Sequence, residues 1–130
     1  TGFQVSLSSF LEDPDGLFPN PMLRVSEELR RHPHDEGMLV ALLFPYDPRF
    51  GFEFFELTLL PDYQRISQPH SAGVVEHVIV IEGEMELLID GAWRGLAKGQ
   101  SLRFAADAEH GYRNLSSQQA VFHNLIHYPA

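Results

Sequence analysis

Apolar residues along this 130-residue chain occur in short blocks that follow the two-residue period of β-strands. From Met38 onward the sequence contains "MLVALLF", "FEFFELTLL", "HVIVIEG" and "EMELLIDG". Turn-forming residues return about every eight to twelve positions, and no long helical pattern is present. Several short strands at this spacing predict an all-β sandwich or barrel.

Later segments continue the same pattern. Asp90-Gly91 predicts a tight β-hairpin, because the turn needs positive φ angles that glycine adopts freely and aspartate tolerates better than most residues. The loop "PYDPRFG", with two prolines, is predicted to end the first strand. Further short strands are predicted in "AWRGLA", "QSLRFAA", "HGYRN" and "AVFHNLIHY".

Residues 1–37 differ in composition from the rest of the chain, because "EDPDGLFPNP" and "RRHPHDEG" are rich in proline, aspartate and glycine. This composition predicts a linker or a segment that wraps around another part of the protein. We therefore divide the chain into residues 1–37 and a β domain at 38–130. His32 and His34 are spaced like metal ligands, but they lie in the proline-rich part and are interpreted as solvated.

Composition excludes several classes of protein. The formal net charge of −9 argues against direct binding of a nucleic-acid backbone by this segment, and the absence of cysteine excludes disulfides and thiolate metal sites. No apolar run has the length of a membrane span, and nothing resembles a signal peptide. We expect a cytoplasmic domain that does not contact a membrane.

Glu76 is the first residue with a chemical signal. If its strand is extended, Glu76 shares one face with Val78 and Val80, while His77 lies on the other face. A carboxylate facing a core is costly unless it is paired, hydrogen-bonded or bound to metal. Alternatively, Glu76 precedes the strand and is solvated, and periodicity alone leaves both interpretations open.

Several residues from Pro69 to Asn114 fall into the register of two sequence motifs, and the segment thereby resembles the cupin superfamily. In that family the first motif carries a His-x-His pair and ends in a glutamate and a glycine. The second motif begins at a glycine and ends in a histidine and an asparagine. The matching positions are His70, Glu76 and Gly83 in the first motif and Gly99, His110 and Asn114 in the second. The resemblance implies a jelly-roll barrel, the double-stranded β-helix.

The resemblance also implies a metal site, with departures. Ala72 stands where the second histidine of the His-x-His pair would fall, and Ala105 and Asp107 replace the Pro-x-Gly of the second motif. The ligands on offer are therefore His70, Glu76 and His110, a set that can hold Zn²⁺, Fe²⁺, Mn²⁺ or Ni²⁺. A metal-free pocket, in which the same residues hydrogen-bond an organic ligand, is the alternative.

Three further residues are predicted to contact a ligand. Tyr112 shares the strand parity of His110, and Asn114 closes the second motif. His123 alternates with Phe122 on the last strand, so it enters the barrel if its face of that strand turns inward.

The resemblance can be narrowed to the C-terminal cupin of XRE-type helix-turn-helix transcriptional regulators, in particular those of sulfur utilisation. It is carried by "PHSAGVVEHVIVIEG", "DGAW", "LRFAADAEHGYRN" and "FHNLIHYP", and it extends over residues 38–130. The first residues, "TGFQVSLSSFLED", resemble the end of the DNA-binding domain. Because the chain begins with Thr1 and not with Met, we interpret it as a truncation just after that domain.

This resemblance implies a sensor domain that binds a small-molecule effector in the barrel, with DNA contacted only through an N-terminal helix-turn-helix domain that the chain lacks. Such cupins pair through sheet edges or outer faces, so a homodimer is expected. The alternative is a stand-alone metal-dependent enzyme, a dioxygenase or an isomerase. Against the enzyme stand the missing fourth ligand and the lack of an identifiable base.

Overall fold

A computed structural model describes residues 20–130 of the chain. Within these residues a single 3-10 turn, Ser26–Glu28, precedes a series of strands. The strands are β1 (His32–Pro33), β2 (Met38–Asp47), β3 (Phe52–Leu59), β4 (Tyr63–Ser67), β5 (Val75–Glu82), β6 (Glu84–Ile89), β7 (Ala92–Ala97), β8 (Ser101–Ala105), β9 (His110–Asn114) and β10 (Ala120–His127).

The strands form two antiparallel sheets. The six-stranded sheet has the order β1-β2-β3-β10-β5-β8, and the four-stranded sheet has the order β4-β9-β6-β7. Because sheet neighbours such as β10 and β5 are far apart in the sequence, the chain crosses repeatedly between the sheets, as a jelly roll does. The predicted all-β class and barrel architecture are confirmed.

The space between the sheets is filled by apolar side chains. Phe122 on β10 is fully buried, and its ring stacks on that of Tyr112 from β9, with centroids 5.7 Å apart. Inward positions alternate with outward ones along each strand, as the pleat requires. The remaining fully or nearly fully buried core residues include Leu57, Leu59, Val74, Val78, Val80, Met85, Leu87, Phe104 and Ala120.

The first long strand does not end where the sequence predicts. Instead of giving way to a loop at Pro45, β2 continues to Asp47, with register shifts against β3 on both sides of Phe44. β1 pairs with β2 only at Val40 and Leu39, so among residues 20–130 no strand lies beside β2 at Pro45 on that edge. A proline is tolerated there because no ladder hydrogen bond is lost.

β4 was not predicted, because its sequence, "YQRIS", contains no apolar block. It pairs with β9 along its whole length, from Tyr63 opposite Asn114 to Ser67 opposite His110. Its other edge has no partner among the described strands, so burial does not impose an apolar pattern on it.

The hairpin predicted at Asp90-Gly91 is confirmed. Asp90 and Gly91 have φ angles of 52° and 76°, and the flanking residues Ile89 and Ala92 pair directly. Two residues with positive φ give the turn that matches the twist of the β6–β7 ribbon.

We expect Gly83→Ala to be far more destabilising than Gly91→Ala, although both glycines have positive φ, 74° and 76°. Left-handed backbone alone costs an alanine about 1–2 kcal/mol at either position. At Gly83 the new Cβ would also lie 2.6 Å from the carbonyl oxygen of Gln119, whereas at Gly91 nothing lies within 4 Å. Urea unfolding of both variants checks this, and equal losses would contradict it.

The predicted linker, residues 1–37, is described only from residue 20, so its earlier part lies outside the described residues. From residue 20 onward it contains the 3-10 turn and β1, and His32 and His34 are exposed as expected. The division at residue 37 stays a prediction. No helix in the described part of the chain is long and apolar enough to cross a membrane.

Candidate functional site

His70, Glu76 and His110 come together at one end of the barrel. The Nε2 atoms of His70 and His110 each lie 3.2 Å from Oε2 of Glu76. The two imidazole rings stack on each other with centroids 5.4 Å apart. One ligand atom from each of the three residues lies within 4.8 Å of the other two.

Strand geometry explains why Glu76 faces this cluster. Glu76 lies near the start of β5 and is fully buried, as are Val78 and Val80 on the same face. His77 lies on the outer face, where its Nε2 accepts a hydrogen bond of 2.9 Å from Nε of Arg103. Of the two interpretations that periodicity left open, the buried one is confirmed.

The second carboxylate oxygen of Glu76 is held by two buried side chains. Tyr112 donates its hydroxyl hydrogen to Oε1, and Nδ2 of Asn124 donates to the same oxygen at 2.9 Å. These donors fix the orientation of the carboxylate, so that Oε2 faces the two imidazoles. Hydrogen-bond partners of this kind orient metal ligands in known sites.

His110 has the tautomer that a metal ligand needs. Its Nδ1 lies 2.9 Å from the carbonyl oxygen of Ala108, so Nδ1 carries the hydrogen and Nε2 turns towards Glu76. Although Nε2 of His110 is close to Glu76, the angles do not form a hydrogen bond, and this buried nitrogen has no hydrogen-bond partner among the described residues. Two imidazole nitrogens and one oriented carboxylate oxygen therefore fit a first-row divalent ion.

The electrostatics of the cluster keep Glu76 ionised. Burial raises the pKa of the Glu76 carboxyl, but contacts with the His110 imidazole and the hydroxyl of Tyr112 lower it more, and Asn124 adds to them. The net pKa of Glu76 lies below its ordinary value. Burial lowers the pKa of His110, yet the negative charge of Glu76 and the carbonyl of Ala108 raise it overall. Burial and the negative charge of Glu76 both raise the pKa of Tyr112.

His70 completes the cluster from outside the core. It lies in the turn between β4 and β5, and its backbone nitrogen donates to the carbonyl oxygen of Ala106 at 2.9 Å. About 36% of its side chain is exposed, whereas Glu76 and His110 are buried. His70 is therefore the member of the cluster that a molecule from solvent meets.

The structure corrects the prediction for His123. Phe122, Asn124 and Ile126 are the β10 residues that face the interior, and His123 lies on the outer face of the sheet. There its Nε2 is 3.1 Å from Oε1 of Glu56. It does not face the cluster of His70, Glu76 and His110.

Asn114 is also corrected, because its amide is used to hold a turn. Its Nδ2 donates to the carbonyl oxygens of Leu59 at 3.1 Å and Gln118 at 2.7 Å. Its Oδ1 accepts from the backbone nitrogen and the hydroxyl of Ser116. With these bonds formed, Asn114 ties β9 to the chain that leads into β10 and offers nothing to a ligand.

Sequence reasoning missed Asn124, although a signal was present. Asn124 has the parity of Phe122 and Ile126, so a buried β10 face places an amide in the core. A buried amide needs partners, and Glu76 is one of them. Oδ1 of Asn124 has no hydrogen-bond partner among the described residues.

A second buried carboxylate, Glu56, lies on the outer face of β3 and is only 5% exposed. The Glu56 carboxylate accepts hydrogen bonds from the hydroxyl of Ser26 and, at 2.5 Å, from Nη2 of Arg31. It also contacts Nε2 of His123. Nothing in the "FEFFELTLL" block signals this burial, because the covering residues lie some 25 to 30 positions earlier.

We expect Glu56 to stabilise the fold above about pH 4.5 and to lose this contribution in acid. Burial raises its pKa, but hydrogen bonds from His123, Ser26 and Arg31 lower it below the ordinary value of 4.5. A carboxyl with a depressed folded-state pKa stabilises the folded state above its unfolded pKa, and the effect is lost as pH falls through the folded pKa. In urea unfolding from pH 7 to 3, Glu56→Gln is expected to flatten the acid limb relative to wild type. The exposed-site control Glu84→Gln should leave that limb unchanged, and identical profiles for both variants would contradict the prediction.

The chain is similar to known proteins in sequence and in structure. Residues 55–126 match the model of the cupin domain family. The HTH-type transcriptional regulator SutR of Escherichia coli (strain K12) is 40% identical over 129 residues, which are 99% of this chain and 67% of that protein.

Two solved structures are also similar. The cupin domain of an XRE family transcriptional regulator from Enterobacter cloacae is 50% identical, with a TM-score of 0.71 over 73% of this chain and 100% of that one. An HTH_3 family transcriptional regulator from Vibrio cholerae is 39% identical, with a TM-score of 0.73 over 93% of this chain and 62% of that one. The chain thus spans about two thirds of the length of SutR and of the Vibrio protein.

Proposed function

Because the chain belongs to the cupin family and is similar along nearly its whole length to XRE-type regulators, we propose that it is the sensor domain of such a transcriptional regulator. The observation that carries the proposal is the convergence of His70, Glu76 and His110 within a cupin domain that is similar to those of transcriptional regulators. The signal is a small-molecule effector, and DNA is bound by a helix-turn-helix domain elsewhere in the full polypeptide.

The cluster supports a divalent ion as part of the sensing site. Its members are His70, Glu76 and His110, with Tyr112 and Asn124 orienting the carboxylate. When bound, the ion would supply a positive charge and open coordination positions for an anionic or sulfur-bearing group of the effector. His70 would hold the ion from the solvent side, where about 36% of its side chain is exposed, and Glu76 and His110 would hold it from the core.

A test of this function uses the full-length regulator, with an operator selected from random DNA. We expect zinc together with the correct effector to change DNA affinity about fivefold or more, the lower end of typical coupling between sites. Sulfur-containing amino acids and related small metabolites are the first compounds to test, since the resemblance is to regulators of sulfur utilisation. His70→Ala should abolish the change while DNA binding without effector persists. DNA affinity that no compound alters, in wild type or variant, would contradict the sensor function.

The enzyme alternative is not favoured by these findings. The similar proteins at 39–50% identity are transcriptional regulators by name. The contacts of Glu76 agree with a binding role, since Oε1 accepts from Tyr112 and Asn124 and Oε2 faces the two imidazoles.

Homodimerisation is part of the proposal, through the outer face of β5. Ile79 and Ile81 are 38% and 41% exposed on that face, as their parity opposite Val78 and Val80 predicted. Apolar side chains exposed together on a sheet face commonly mark a protein interface.

We expect the chain to be dimeric at micromolar concentration, and the double variant Ile79→Lys, Ile81→Lys to be monomeric, because two charges would have to be buried in the interface. Multi-angle light scattering measures both masses. Ile66→Lys is the matched control, since Ile66 is 40% exposed but belongs to the other sheet. A monomeric wild type, or dissociation by the control to the same extent, would contradict the proposed interface.

A further inference from the structure

Glu56 and Glu76 are both buried carboxylates of the six-stranded sheet, but they lie on its opposite faces. Glu76 is 0% and Glu56 5% exposed. Glu76 points to the barrel interior, whereas Glu56 points outward and is covered by chain from before β1. Burying a carboxylate is costly unless polar groups contact it, so the groups that contact Glu56 and Glu76 stabilise these two sites.

The cover over Glu56 is a strap, which we define as residues 24–31. Arg31 donates to Glu56. Its Nη1 also donates within the strap, to the carbonyl oxygens of Ser26 at 3.0 Å and Leu29 at 3.2 Å. At the other end, Nε of Arg24 donates to the carbonyl oxygen of Leu43 at 2.6 Å. The hydrogen bonds described here anchor the strap to the barrel at these two places, β2 and Glu56.

One pair of consecutive residues contacts both carboxylates. His123 on β10 reaches Glu56 outside the sheet at 3.1 Å, and Asn124 reaches Glu76 inside it at 2.9 Å. Neighbouring side chains of a strand point to opposite faces, so a single peptide unit of β10 stands between the two sites. β10 lies between β3 and β5, the strands that carry Glu56 and Glu76.

We propose that His123 and Asn124 couple the inner cluster to the strap, so that occupation of the cluster by a divalent ion changes how firmly the strap is held. This inference rests on the proposed function, because it takes the Glu76 cluster as the sensing site. A divalent ion held by the cluster would draw charge from the Glu76 carboxylate, to whose Oε1 the Asn124 amide donates. In a close-packed interior a shift of Asn124 is passed to the backbone of β10 and from there to His123. The strap lies on the N-terminal side of the barrel, which is the side on which the proposed function places the DNA-binding domain.

Coupling of this kind has to be demonstrated by energetics, since position between two sites is no proof. The probe is zinc alone, added to the purified chain, and the readout is amide hydrogen exchange of a peptide covering residues 24–31. A peptide from β6, in the other sheet, reports global opening and serves as the internal reference. Calorimetry on the same samples measures zinc binding independently.

In wild type we expect saturating zinc to change strap exchange about fivefold or more relative to β6. Asn124→Ala, at zinc concentrations that still saturate it, should remove this change, and the exposed-residue control Gln119→Ala should retain it. Zinc binding without any change in strap exchange would overturn the coupling and leave the sensing site standing.

A second experiment tests the coupling without metal. It is needed if zinc does not bind, a result that would itself contradict the metal site. Asn124→Ala and Arg31→Ala are combined in a double-mutant cycle on strap exchange, again relative to β6. Coupled sites give non-additive effects, whereas independent ones add. Strict additivity would overturn the proposal whatever the metal does.

Discussion

Glu76→Ala is expected to lower the affinity of the chain for zinc by about 100-fold or more, since loss of a partner outside the ligand set already costs about 10–100-fold. The carboxylate is the only anionic member of the cluster, and both imidazoles lie 3.2 Å from one of its oxygens. Without it, only the two imidazoles remain as ligands. Competition with a chromophoric chelator measures the constants, and elemental analysis of the freshly purified protein gives occupancy.

Two further variants guard this result against misfolding. Glu76→Ala leaves the Tyr112 hydroxyl and the Asn124 amide without their shared acceptor, which costs about 1–3 kcal/mol for each unsatisfied group. His70→Ala removes a ligand that is partly exposed and should weaken zinc binding with little loss of stability. Glu86→Ala is the matched control, because Glu86 is an acid paired with Arg113 on the other sheet. Zinc affinities that are equal in wild type, Glu76→Ala and His70→Ala would rule out the metal site.

Phe122→Ala is expected to reduce the free energy of unfolding by about 3–5 kcal/mol, the range for removing a large aromatic side chain from a core. Phe122 is 0% exposed and stacks on Tyr112, whose hydroxyl holds Glu76. The resulting cavity would therefore loosen the cluster as well as the core.

Urea unfolding measures the effect through the midpoint at constant m-value. Phe50→Ala is the control, since Phe50 is 44% exposed and a surface substitution usually stays within about 0.5 kcal/mol. A loss below about 1 kcal/mol for Phe122→Ala would mean that the stacked pair is not a tightly packed part of the core. A parallel zinc titration should show weaker binding in Phe122→Ala than in Phe50→Ala.

The sequence allows prediction of those features that depend on strand parity and on local turns. The two-residue period placed Glu76 on the same face as Val78 and Val80 if its strand was extended, and the structure shows that this face is buried. Asp90-Gly91 could be assigned to a hairpin because its φ angles are a local property. The gathering of His70, Glu76 and His110 came from the family resemblance, since periodicity alone left each of them undecided.

What could not be predicted depends on contacts between distant parts of the chain. His123 and Asn124 differ by one position, and only the choice of which β10 face turns inward decides which one meets Glu76. The burial of Glu56 depends on Ser26 and Arg31, and the proline-rich composition around them predicts a linker or a wrapping segment without indicating which residue it covers. Pro45 within a strand and the polar strand β4 both depend on lying at a sheet edge, which local sequence does not reveal.

The stacked pair Phe122 and Tyr112, with the aliphatic residues around it, limits which effectors the proposed sensor could bind. Because the space between the two sheets is filled by the core side chains, the proposed effector would not be enclosed there as a whole. It can only present one short terminus to His70 and the groups behind it. Discrimination then depends on the chemistry of that terminus, and compounds that share it should compete with one another whatever the rest of their skeleton looks like.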